Sequence, residues 1–166
     1  MENTQTKDSR LNSLLILFDM QTPFFINALD GISDKDAHNR LNTKANHIAW
    51  LAGSLVAQRY EIVHALTKSN LKQTGDELFK DNQGIKDGVT YPSLEQYKKD
   101  WQTITPIARE ALLNADAAAL SQKIEIPGME ITFFELFTFT IYREANCIGQ
   151  IALWRRLLGY EAMKYM

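Results

Sequence analysis

Arg143 and Cys147 are the residues on which a chemical reading of this sequence turns. They stand four apart in "YREANCIGQIALWRRLLG" (142–159). On a helix that spacing puts them on one face, one turn apart, with roughly 5–6 Å between Cβ atoms. A helix offers two ligands to one metal in this way, the third coming from a facing helix. These two side chains are poorly suited to the task. A guanidinium is never deprotonated in a protein and repels a dication, and one thiolate beside it is not a site. Cys147 could instead act as a nucleophile, its thiolate favoured by Arg143. The preferred reading is a small buried hydrophobe, because no histidine stands at helical spacing from it. Arg143 on an inward stripe needs a partner, since an unpaired buried charge costs several kcal/mol. Glu61 on an earlier helix is one candidate and an anionic ligand the other; internal pairing is favoured, because the charge must be met even without ligand. His38, His47 and His64, the chain's three histidines, are too scattered along their segments to rebuild a metal site.

The elements that must position these residues are helical. Residues 11–30 carry helical apolar spacing, with Gly31 as a stop and Pro23 as an expected bend or break. Ser33 is a candidate N-cap. A second helix is expected over 41–66, with Leu41, Ala45, Ile48, Ala52, Leu55, the stem of Arg59, Ile62 and Leu66 on one buried stripe. Residues 67–92 are polar and glycine-containing, long enough to cross the full height of a bundle, with "TGDE" (74–77) capping one short helix. "SLEQ" (93–96) opens a third helix to about Leu113, kinked at Pro106. "KIEIPGMEI" (123–131) reads as an arm or small hairpin turning at Pro127–Gly128. "TFFE" (132–135) caps the last helix, which runs to Leu158 and stops at Gly159. Phe133, Leu136, Thr140, Arg143, Cys147, Gln150 and Trp154 should form its inward stripe, with Arg155 and Arg156 snorkelling at the bundle end. Gly53 and Gly149 suggest that the second and last helices cross closely beside Arg143 and Cys147. Tyr160, Met163 and Tyr165 in the closing "GYEAMKYM" read as a frayed tail or a dimer contact.

The bulk numbers exclude several function classes. At 166 residues the chain fits a single domain, 1–166, with a core of its own. Its 45% hydrophobic and 23% charged content argues against wholesale disorder. A net charge of −2 and no Lys/Arg run above two leave no footprint for nucleic acid. No apolar run approaches the roughly 20 residues of a membrane span, and "MENTQTKDSR" has no apolar leader core. One cysteine cannot make an internal disulfide, so a cytoplasmic location is expected.

Nearly the whole chain resembles the DinB-like superfamily of four-helix bundles, also called YfiT-like metal-dependent hydrolases. The similarity lies in "ALDGISDKDAHNRL", "HIAWLAGSL", "DGVTYPSLEQYKKDW" and, most specifically, "GQIALWRRLLG" at 149–159. The resemblance implies an all-α, down-up-up-down four-helix bundle with a long crossover between the second and third helices, often a homodimer. It implies a metal held by one histidine of the second helix and two of the last, four apart. Carried over, those three positions fall on Ser54, Arg143 and Cys147, so the scaffold is matched and all three imidazoles are missing. Trp50, Glu61, Glu144 and Gln150 are the expected cleft neighbours. The expectation is therefore a degenerate metal site with no metal or other cofactor. The former cleft would serve a non-catalytic small-molecule-binding or interaction protein, for which a small anion is the candidate ligand. The alternative is an enzyme related to the family's thiol transferases and hydrolases, with a rebuilt or metal-independent site.

Overall fold

The structure, a computed structural model, describes residues 5–126 and 128–166. Met1–Thr4 and Pro127, the first half of the expected turn, lie outside the described residues. Helices dominate: α1 (Asn12–Leu29), α2 (Asp34–Ala37), α3 (Ile48–Thr67), α4 (Leu94–Asn114), α5 (Ala117–Leu120) and α6 (Phe133–Leu157), with a hairpin of β1 (Lys123–Ile126) and β2 (Met129–Thr132). The strands pair antiparallel, Lys123 opposite Thr132 and Ile126 opposite Met129. α3 packs on α4 and α6, and α1 packs on the same two helices, so the four long helices share one apolar core. Trp101, Tyr97, Phe18, Phe25, Phe133 and Phe137 are its fully buried aromatic members. No helix among the described residues is long and apolar enough to cross a membrane.

Local chemistry accounts for most boundaries. Thr132 and Glu135 complete a capping box at the start of α6, and Gly159, at φ +88°, ends the turn that follows it. Ser33 caps α2 and Ser93 caps α4 through their hydroxyls. Gln96 does not reach back to Ser93; its amide donates to Asp100 instead, so only half of that expected box forms.

Several expectations need correction. α1 runs through Pro23 without the break that a proline could impose there, and α4 likewise continues through Pro106, because apolar residues on both sides of each proline are buried in the same core. The second helix begins at Ile48 and not at Leu41. Leu41 and Asn42 are left-handed (φ +46° and +59°), the Arg40 guanidinium takes the carbonyls of Lys44 and Ala45, and His47 caps α3 by accepting the Trp50 N–H. Between α3 and α4, "TGDE" forms no capped helix: Gly75, left-handed, precedes a single 3-10 turn, Asp76–Leu78, and a second follows at Lys80–Asn82. At the far end Arg155 is buried and donates to the carbonyls of Ala28, Asp30 and Glu161, so it does not snorkel. The tail docks back on its own chain, with Met163 buried, the Tyr160 hydroxyl on Asp36 and Tyr165 edge-on to Phe24.

Candidate functional site

A half-open cavity of about 270 Å³ lies where α3 faces α6, closed on one side by the crossover. Trp50, Ser54, Ala57, Gln58 and Glu61 line it from α3, Phe139 and Arg143 from α6, and Phe79, Asn82 and Gln83 from the crossover. The helical pitch explains the first set, since positions 50, 54, 57 or 58 and 61 recur every three or four residues. The Ser54 hydroxyl donates to the Leu51 carbonyl at 2.9 Å, which frees its lone pairs to accept from Arg143 Nη2 at 3.2 Å. The guanidinium lies 6.0 Å from the centre of the Trp50 ring, at the outer reach of a cation–π contact. Glu61 keeps an exposed edge at the mouth, yet the protein around its carboxyl raises the pKa by desolvation; Arg143 opposes this and Asp76 adds to it. A wider depression of about 480 Å³ between Thr74 and Gln96 has Glu77 as the one charged residue of its lining and no cation.

Ser54 and Arg143 are thus in contact, with Trp50 and Glu61 beside them. The other expected members lie elsewhere. Cys147 is 4% exposed and does not line the cavity. Burial pushes its thiol pKa up, against the pull of Arg143, and Glu144 adds to the rise. Glu144 is no cleft neighbour: it is fully buried and takes Arg59 Nε at 2.7 Å and Nη2 at 2.9 Å. Gln150 is exposed and donates to Asn146. The buried stripe of α6 is Phe133, Phe137, Thr140, Ile141, Glu144, Cys147, Ile148, Ile151 and Trp154, which turns Arg143 to the edge and Gln150 outward. Arg143 and Glu61 form no ion pair among the described residues, so the favoured internal pairing is absent. Nor do the two glycines meet. A Cβ on Gly53 would strike Phe79 and Tyr97, whereas one on Gly149 would meet open space.

The pair that the sequence reading missed is Arg59–Glu144. Apolar spacing accounts only for the aliphatic stem of Arg59, whereas its guanidinium lies 3.5 Å from the Trp101 ring centre and 3.9 Å from that of Phe18. Thr22, Thr105 and the Phe18 carbonyl take the donors that Glu144 does not. The available signal was one cation and one anion, each on an otherwise apolar helical stripe.

The trio that the resemblance marks as metal ligands does not fit a metal. Ser54 is a neutral hydroxyl already engaged twice, Arg143 brings a fixed positive charge to the same point, and the Cys147 thiol is held protonated by burial. Among the described residues no group of three His, Cys, Asp or Glu side chains could hold a metal ion. His38 and His64 bond the backbone carbonyls of Asp34 and Ser69, and His47 is a helix cap.

Fold and site together define a helical protein with a half-open cleft that carries one cation and one carboxylate, not bonded to each other. Neither the sequence pattern of a known family nor any curated protein matches the chain.

Proposed function

We propose that this chain is a DinB-like four-helix bundle, down-up-up-down, in which α1, α3, α4 and α6 are the four helices and the segment from 68 to 93 is the long crossover. Its metal centre is lost, and its cleft binds a small anionic ligand without catalysing a reaction on it. One observation carries this reading: Arg143 lies in the cleft with the Ser54 hydroxyl as its hydrogen-bond partner and no carboxylate within ion-pair distance among the described residues. The remaining N–H donors of its fork match a carboxylate or phosphate. The position of the guanidinium, where the resemblance would place a dication, keeps the cleft's positive charge without the metal. Cys147, buried and with its thiol pKa raised, offers no activated nucleophile, which supports binding over catalysis. A cytoplasmic homodimer that binds neither nucleic acid nor membrane completes the proposal.

Titration of the protein with hexanoate, followed by NMR at the Arg143 Nε–H and Trp50 Nε1–H signals, tests it. Saturable shifts that vanish in Arg143→Met are the expected result. Absence of saturable shifts, or equal binding by the Arg143→Met variant, rules the reading out.

A further inference from the structure

We infer that the ligand of this cleft is a zwitterion whose acid meets Arg143 and whose amine meets Glu61, the two separated by an apolar stretch that lies on Trp50, Phe79 and Phe139. The inference rests on the anion-binding reading of the same cleft and goes beyond it by assigning the other pole.

Glu61 and Arg143 line one cavity, carry opposite charge and do not pair. Glu61 has no hydrogen-bonding or ion-paired protein partner among the described residues, so its carboxylate is left for something outside the chain. Asp76 adds a second negative charge to its surroundings, which makes that end favourable for a cation. Burial works against an ionised Glu61, and an ammonium group brought to it would relieve that cost. Two further polar atoms on cavity residues repeat the division: Trp50 Nε1, a donor, and Gln58 Oε1, an acceptor, are both buried without a partner. The donor belongs to the ring beneath Arg143; the acceptor is three residues from Glu61 on the same helical face. Between the poles the wall is aromatic.

Spacing selects among zwitterions. Ser54, which fixes the Arg143 end, is seven residues from Glu61, about 10 Å along α3 at the ordinary helical rise. An α-amino acid carries both charges on one carbon, whereas a chain of several methylenes spans the gap and rests on the rings. A cavity of about 270 Å³ admits a molecule of this size and little more.

Three isosteres separate the possibilities by calorimetry on the full chain: 6-aminohexanoate, hexanoate and hexylamine. The expected result is that 6-aminohexanoate binds about tenfold tighter than hexanoate, the size of one charge-assisted contact. Glu61→Gln should abolish the preference, so that 6-aminohexanoate binds no tighter than hexanoate, while hexanoate, relieved of one like charge in the cleft, binds at least as well as it does to the wild type. Hexanoate binding as tightly as 6-aminohexanoate, or a preference that survives Glu61→Gln, overturns the zwitterion and leaves the anion reading in place. If neither acid binds, or hexylamine binds tightest, both readings fall.

Discussion

His47 makes two demands on one imidazole, and they agree only while the ring is neutral. Its Nδ1 accepts the Trp50 N–H at 3.1 Å and so caps α3, which a doubly protonated ring cannot do. Burial, with His38 and Arg40 adding their repulsion, lowers its pKa from 6.5 to about 4. Because the folded value is the depressed one, the unfolded chain binds more protons between pH 6.5 and 4. The contribution of His47 to stability is therefore complete above about pH 6.5, shrinks as the pH falls, and is gone below about 4; its full size is on the order of 3 kcal/mol. His47→Asn keeps a capping oxygen and removes the titration. Urea midpoints should fall for the wild type over that window and stay flatter for the variant; parallel curves would assign the pH dependence to another group. Cys147 gives a second expectation at this scale. With its pKa raised by burial it should react with Ellman's reagent far more slowly than free glutathione at pH 7.5, and a fast reaction would point to an activated thiol. The sequence read both residues partly. A four-residue spacing places Arg143 and Cys147 on one helical face, but only packing decides how the helix is rotated. Here a buried Glu144 turns that face so that Arg143 reaches the cleft and Cys147 the core.

Elements were more legible where a side chain acts on its own backbone. Ser33, Ser93 and Thr132 each cap a helix as expected, although Gln96 does not close the box at Ser93, and β1 pairs with β2 in the hairpin. The start of α3 was illegible, because apolar spacing continues back to Leu41 while Arg40, anchored on Lys44 and Ala45, holds the chain in a turn that only the fold requires. The α3–α6 contact was legible in outline and mistaken in detail: it is built on Arg59–Glu144, not on the two glycines. That pair gives an energetic prediction. With both side chains 0% exposed, removal of one strands the other. Arg59→Met and Glu144→Met should each cost about 3–5 kcal/mol by chemical denaturation, and the double variant should recover most of the loss. Additive losses would mean that the two act separately. Gly53→Ala tests the α3–α4 contact in the same assay. Its methyl would strike Phe79 and Tyr97, so a loss of about 1–3 kcal/mol is expected, and a neutral result would show that these rings move aside freely.

At the scale of the whole molecule, the outer face of α6 is an apolar face that the fold leaves uncovered, as is the Ile16–Met20 side of α1. Phe139, Tyr142, Leu153 and Leu157 are 52%, 63%, 60% and 58% exposed, and Asn146 and Gly149 continue their helical spacing. Single exposed hydrophobes need no explanation, but a stripe without a charge along one long helix has the form of an interface. The stripe is also self-complementary. Two copies of α6 crossing antiparallel about a two-fold axis near Asn146 set Phe139 against Leu153 and Tyr142 against Gly149, where no side chain stands in the way. The same axis would bring Glu135, whose carboxylate already accepts from Thr132 in the α6 cap, towards Arg156. The tail docks on its own chain through Met163 and the Tyr160 hydroxyl, while Tyr165 and Met166 stay exposed. Light scattering at micromolar concentration should give about twice 19.0 kDa, and Leu153→Glu should return the 19.0 kDa species with unchanged helical circular dichroism. A wild-type mass of 19.0 kDa would remove the dimer altogether. Phe139 belongs to the stripe and to the cleft wall, so assembly and binding should be linked. If the partner's Leu153 holds Phe139 in place, Leu153→Glu should weaken hexanoate binding although residue 153 is not in the cleft, and unchanged affinity in the monomeric variant would show that each copy binds alone.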